Sequence, residues 1–539
     1  MYQFTGKLKI FALALMVVGL LGTVYNFMSA PSTLEEAKEI LAKQAAAAHH
    51  GGHHGEAVSH GEDAHHDGNA HSESHKEEHK SEEHANAETA DHSEAATTEH
   101  KEEDHSAEAH TEKVDSTHVV ADVAHETKEE AHKEEKHAEA PVAHHDNAHG
   151  DHHGDHHAEH AFHQMQNRPW SAFYVAMLFS LGVSLLVLAF YAAQRVAHAG
   201  WSVVLFRVME AITSNIHYVS IFMIIFIILT VMHQNHLFPW MAEGVFDTQS
   251  PNYDPIVDKK HWWMNVPGWA IRSIVYLTGW NVFRFIIRRK SIQQDGGDLK
   301  LHKNLYNICV GFIVFFMVTE SMASWDWIMG IDPHWFSTLF GWYVLATFLV
   351  SALTVIAMVT IYLRSKGTLP FVNDSHIHDL AKFMFGFSVF WTYLWFAQFM
   401  LIWYADMPEE TTYFAQRFNE YKLPFLGMVV LNFAFPVLLL INSDFKSIPW
   451  LVILGGVAIL VGHYVDLFVM IMPGTVGGQW GFGIGEISAI LFFIGLFIFA
   501  TFNAVSKAAV LPKGNPFLHE SETHHYYVIE HRGEDNSHH

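Results

Sequence analysis

Ten apolar runs set the limits on what this chain can become. They lie near residues 8–29, 170–194, 204–232, 266–287, 305–328, 338–363, 380–404, 424–442, 448–471 and 485–506. Each approaches the roughly 20 residues that a helix needs to cross a ~30 Å hydrocarbon core. Backbone groups in lipid find no water, so a spanning segment must be a helix or part of a closed barrel. The alternating pattern of a barrel strand is absent. The sequence therefore predicts an all-α, polytopic membrane protein with about ten transmembrane helices.

Between the first two runs the composition changes abruptly. Residues 31–168 hold 33 acidic against 10 basic residues, which is −23 of the net −25, and 28 of the 44 histidines. Such a segment lacks the apolar surface needed to offset its ordering entropy, and disorder is expected over most of it. Its ends are expected to be helical, since TLEEAKEI opens with the capping pair Thr33 and Glu36. The chain thus divides into residues 1–30, a first transmembrane helix; 31–168, the acidic His-rich segment; 169–510, a nine-helix membrane domain; and 511–539, a tail. Lys7 and Lys9 before the first run resemble a signal peptide, but the run is longer than a signal core and is expected to be retained.

Lys and Arg concentrate in alternate loops, from Arg195 and Arg207 through Arg288, Arg289, Lys290, Lys300 and Lys303 to Arg364, Lys366, Lys382, Lys446, Lys507 and Lys513. The other short loops carry Lys259, Lys260, Arg417 and Lys422. The positive-inside rule then places both termini in the cytoplasm and the His-rich loop in the periplasm. The single cysteine, Cys309, excludes an internal disulfide, a thiolate-bound iron–sulfur cluster and a CxxCH haem site. The scattered histidines have no fixed ligand spacing, and no specific metal site is expected of them.

Ionisable residues within the apolar runs are the functional candidates, because each is costly unless paired or hydrated. Glu320 lies about two turns before the end of the fifth run, followed by Asp326 in a Trp-rich stretch. His463 and Asp466 are spaced i, i+3 and share a helix face. Glu210 and His217 sit in the third run; for His217 a hydrogen-bonded core histidine is the simpler reading. His378 and Asp379 open the seventh, where Asp374 or Ser375 would cap the helix and Tyr393 and Gln398 lie deeper. An offset of 78 residues aligns Glu320 with Gln398, Trp325 with Trp403 and Met329 with Met407, as a repeated four-helix unit would.

The segments ESMASWDWIMGIDPHWFSTLFGWYV, HDLAKFMFGFSVFWTYLWFAQFMLIWYADMPEE and GHYVDLFVMIMPGTVGG together resemble the NrfD-like integral subunits of bacterial alternative complex III, a quinol:cytochrome c oxidoreductase, and among them the ActF family. The likeness extends through LKIFALALMVVGLLG, APSTLEEAKEI, GWSVVLFRVMEAIT and GWNVFRF, so it covers nearly all of the chain outside the insert. The resemblance implies two four-helix bundles plus flanking helices in a bacterial inner membrane. It implies a second NrfD-like subunit, an iron–sulfur protein, multihaem and monohaem cytochromes c and small membrane subunits as partners, with a cytochrome c oxidase and lipids as further neighbours and no nucleic acid. Haem c and iron–sulfur clusters would then belong to those partners, with no cofactor bound by this chain and a proton path or a quinone contact as its contribution. A secondary metal or ion transporter and a structural scaffold for cytochromes are the rival readings.

Overall fold

The computed structural model describes residues 2–51 and 150–525, and among them there are helices and loops but no strand. In chain order the helices are α1 (Gly6–Met28), α2 (Leu34–Gly51), α3 (Gly150–Val196), α4 (Phe206–Ile212), α5 (Asn215–Val231), α6 (Pro255–Asp258), α7 (Val266–Gln294), α8 (Leu299–Trp327), α9 (Phe340–Ser365), α10 (Asp374–Ala405), α11 (Pro408–Glu420), α12 (Lys422–Val429), α13 (Phe435–Leu440), α14 (Pro449–Val476), α15 (Ile484–Val505) and α16 (Leu518–Glu522). A 3₁₀ turn, Gly200–Leu205, leads into α4. Nine helical segments among the described residues are long and apolar enough to cross a membrane. They match nine of the ten apolar runs, and the chain is an all-α protein of the multi-pass type.

The tenth run is α7. It is a 29-residue helix, long enough to span, but its apolar character is diluted by Arg272, Asn281, Arg284 and Arg288. These point inward, whereas Ile271, Ile274, Val275, Val282 and Phe285 on its other side are exposed. The helix is amphipathic in the sense a membrane requires, with its polar stripe facing its neighbours.

Two four-helix bundles form the body. Helices α3, α5, α7 and α8 pack in a ring, as do α9, α10, α12–α13 and α14. The bundles meet through α3 against α9 and α14, and α8 against α9. Flanking them, α1 lies along α15, and α15 lies along α3. The approach of α1 is close because Gly19 and Gly495 carry no side chain: a Cβ on Gly19 would overlap the backbone of Phe492, and one on Gly495 the carbonyl of Ala12. The 78-residue offset relates α8, fourth in its bundle, to α10, second in its own, so it does not mark equivalent positions of two units.

Local rules fix the boundaries. Asn265 caps α7 by accepting from Gly268 N, and Asp298 caps α8 by accepting from Lys300 N. The cap of α10 is Asn373, one residue before the expected Asp374; its Oδ1 accepts from His376 N. Helix α3 begins at Gly150, well before the apolar run, and passes through Pro169. The expected disorder of the His-rich segment falls mainly on residues 52–149, which lie outside the described residues. Between α12 and α13 the helix widens into a π turn over Val430–Ala434. Pro436 follows at once, and its missing N–H leaves the carbonyl four residues earlier without its usual donor.

Candidate functional site

The polar stripe of α7 organises the first bundle. Arg272, Tyr276, Trp280, Arg284, Arg288, Ser291 and Asp295 recur every three or four residues, so they share one side of the helix. Near its start, Arg272 grips Asp326 of α8 with two charge-assisted bonds, Nε to Oδ2 at 2.9 Å and Nη2 to Oδ1 at 2.7 Å. Tyr276 OH donates to the same carboxylate at 2.9 Å. Trp269 Nε1 donates to the Asp326 carbonyl, and Trp327 Nε1 to Ser273 Oγ, each at 2.9 Å. Asp326 is thus a fixed ion-pair partner that ties α8 to α7.

The opposite half of the stripe is dominated by arginine. Arg284 donates to His217 Nε2 at 2.5 Å, while His217 Nδ1 faces Asn281 Oδ1. Both ring nitrogens of His217 are occupied, as its reading as a hydrogen-bonded core histidine anticipated. Asn281 Nδ2 donates onward to Ser220 Oγ at 2.8 Å. One turn further, Glu210 receives Arg207 Nη1 and Tyr191 OH, each at 2.9 Å, together with Arg288 and Ser291. Arg195 donates to Tyr191 OH at 2.6 Å, and Arg207 reaches Asp295 at 2.7 Å. Arg195, Arg207, Arg284 and Arg288 face only Glu210 and Asp295 here, an excess of positive charge. Such a cluster repels cations. Glu210, held by so many donors, is a lock and not a free carrier.

Glu320 differs from every other buried carboxylate. It is 5% exposed, and neither of its oxygens has a hydrogen-bond partner. Asp326 and Glu210 are paired as described, and Glu486 holds Arg168 at 2.8 Å. Among the described residues Glu320 alone is a buried acid without a donor. It borders a cavity of about 40 Å³ lined by Leu178, Gly182, Trp280, Ser324, Val344 and Phe348. That exceeds the roughly 10–15 Å³ that one water occupies. Trp280, which lines the same cavity, donates instead to Thr319 Oγ1 at 2.9 Å.

The second bundle holds its acid differently. Asp466 is fully buried and accepts from Tyr343 OH, from Thr347 Oγ1 at 2.8 Å and from Trp391 Nε1 at 2.9 Å. His463 Nδ1 stands 3.6 Å from Asp466 Oδ2, too far for a hydrogen bond, and its ring meets Trp391 edge to face. The i, i+3 pair therefore shares a face, as spacing required, without the direct bond of a relay. Glu320 and Asp466 come near through one helix: α9 presents Val344 and Phe348 toward the Glu320 cavity and Tyr343 and Thr347 toward Asp466. His217 and His463 lie in different bundles.

At the basic helix ends, His378 Nε2 meets Ser443 Oγ at 3.1 Å. Asp379 receives Lys382 at 3.0 Å and His524 at 2.6 Å. Gln398 is buried beside Asp466, while Tyr393 is 66% exposed and faces away from the bundle. Residue types alone did not single out Arg272, Arg284 or Arg288 as site residues. The signal was present in their four-residue spacing along α7. Arg417, counted above as a loop charge, is buried over the ring of Tyr413, with its Cζ 3.2 Å from the centroid. No group of three or more metal-ligating side chains occurs among the described residues. No known protein family and no curated protein matches the chain.

Proposed function

We propose that this chain is a proton-handling subunit of a membrane-bound quinol:cytochrome c oxidoreductase of the alternative complex III type, the assembly its motifs resemble. The observation that carries the reading is Glu320: a buried acid with no fixed partner, beside a cavity large enough for water, at the junction of two bundles. A group of this kind can take up and release a proton without breaking an ion pair. The arginine cluster around Glu210 opposes cation passage through the basic half of the first bundle. Glu320 therefore exchanges protons with the Trp-rich end, as a half-path and not a through-channel. Asp466, held by Tyr343 and Thr347 of α9 and Trp391 of α10, supplies a fixed polar anchor. The electron-carrying centres belong to the partner subunits.

Mild-detergent purification of the full chain from its native membrane tests the assembly. Co-purifying c-type haem and iron–sulfur protein is the expected result. A chain that isolates alone and moves metal ions in vesicles overturns it in favour of a transporter. The π turn beside Pro436 is the feature that favours that second reading, since broken helices at mid-membrane mark transporter sites.

A further inference from the structure

A cavity of about 570 Å³ opens at the basic helix ends, away from Glu320 and Asp466. Three stretches of chain meet there: the approach to α1, the turn after α9 and the segment after α15. Tyr2, Thr5 and Lys366 give it polar lining, and Leu369, Phe371 and Leu511 apolar lining. The charge around it is one-sided. Residues 2–34, 333–373 and 487–519 contain no Asp or Glu, yet they hold Lys7, Lys9, Arg364, Lys366, Lys507 and Lys513. Two of these bases are met elsewhere. Arg364 donates to Asp374 at 2.6 Å, and the turn of Lys513 packs on the α7–α8 loop, which carries Asp295 and Asp298. The other four lysines stand against Glu520 and Glu522 of α16, and none of the four forms an ion pair among the described residues. Two donors add to this surplus. Thr5, the N-cap of α1, makes no side-chain bond, so the first-turn N–H groups are left to solvent or a ligand. Tyr2 is 7% exposed, and its hydroxyl lies beside Tyr362 without a hydrogen bond of standard geometry.

We propose that this cavity seats the phosphate headgroup of an anionic phospholipid, whose acyl chains pass down the outer face of α1. Charge selects an anion: surplus lysines and an uncapped helix N-terminus each favour negative charge. Position selects a lipid over a soluble phosphate. Helix α1 starts at Gly6, α9 ends at Ser365 and α15 ends at Val505, so the cavity lies where the apolar spans give way, at headgroup level. From there Ile10, Leu13 and Val17 of α1 follow at helical spacing, all exposed. That apolar track serves an acyl chain and is of no use to a free anion. The apolar lining fits the glycerol and first methylenes, and the volume lies within the range of small-molecule sites, roughly 300–1,000 Å³.

Two variants test the site without unpicking the fold. Lys366 is exposed, with its Nζ 5.7 Å from the centre of the Tyr362 ring, and Lys366→Glu reverses its charge. Thr5→Trp fills the cavity and removes no cap bond. The probe is phosphatidylglycerol with a diazirine in its acyl chain, applied to the full-length protein purified from its native membrane in mild detergent. Labelling should map to the peptide containing residues 2–17. Unlabelled phosphatidylglycerol should displace it, and tenfold more phosphatidylcholine should not. Each variant should reduce it at least tenfold, and added salt should weaken it, because the lysines are exposed. Labelling elsewhere, or labelling unchanged in both variants, overturns the assignment. Equal displacement by phosphatidylcholine makes the cavity an unselective lipid contact, and displacement by glycerol 3-phosphate makes it a soluble-phosphate site. Labelling that appears only once co-purifying subunits are stripped away makes it a protein interface; each of these three outcomes also refutes the proposal.

Discussion

Replacing Glu320 with Gln removes a titratable proton and almost nothing else. The two side chains have the same length and nearly the same shape, so the contacts with Trp280, Ser324 and Phe348 survive. No ion pair is broken, because the carboxylate has no partner to lose. The new amide brings two N–H donors into the site, and an orphaned buried donor costs about 1–3 kcal/mol. The adjoining cavity of about 40 Å³ has room for water to satisfy them. The complex should therefore assemble normally, with a stability change within about 1 kcal/mol. Proton uptake or release, measured with a pH dye in vesicles containing the reconstituted complex, should fall more than tenfold, about 1.4 kcal/mol on the limiting step. Electron transfer from quinol to cytochrome c is followed in the same sample. Ala323→Leu, which fills the same cavity with apolar volume, should reproduce the loss with the carboxylate still present. Proton movement and turnover both unchanged in Glu320→Gln would refute the reasoning and leave Glu320 as buried polar packing.

Three further outcomes follow from other contacts. Asp326→Ala strands Arg272 and Tyr276, and breaking such a buried pair costs about 3–5 kcal/mol; thermal unfolding of the detergent-solubilised complex should shift down accordingly, and an unchanged midpoint would show the pair to be solvated. Gly19→Leu drives a side chain into the backbone of Phe492, so α1 should leave α15 and amide exchange along α15 should rise; unaltered exchange would mean that the helices pack by another register. In the loop before α7, partial burial of Asp254 works against its charge, but hydrogen bonds from Val257 N, His334 and Ile256 N outweigh it and hold the carboxyl below the usual range. A carboxyl lowered in the folded state contributes stability above the unfolded value, about 3.9, and loses it as pH falls through the lower folded value. Amide protection over residues 254–264, with the intrinsic pH dependence of exchange divided out, should thus be flat near neutral pH and fall only below about pH 4. Asp254→Ala should lower that protection near neutral pH by the ~1 kcal/mol of a helix cap, and by less below about pH 4, where the native carboxyl is itself protonated.

Hydropathy made the long apolar helices legible, because burial of backbone in lipid leaves a chain little choice of structure. Legibility declined where polarity did structural work. Asp326 and Glu210 stood out as costly residues, yet their partners decide what they do, and two of those partners, Arg272 and Arg288, are 54 and 78 residues away in sequence. Only packing shows that Asp326 is tied and Glu320 is not, although the two lie six residues apart on one helix. Arg417 was even less readable. Counted as a surface charge, it is buried against Tyr413 with its Nη1 donating to that residue's carbonyl at 2.7 Å.

The helix that hydropathy treated least well, α7, makes the general point. Its arginines lower its mean hydropathy, and the same arginines bind α8 through Asp326, α5 through His217 and α4 through Glu210. In water such a helix would turn those charges outward. In a bilayer the outward face must be apolar, so Arg272, Arg284 and Arg288 are directed at other helices and find partners there, and the exposed Arg289 is left to the last turns of the helix. The polar positions of a membrane helix are thus the best sequence record of which face meets protein. The acid that breaks this rule, Glu320, is by the same reasoning the position where packing has been left incomplete and where proton chemistry should be sought first.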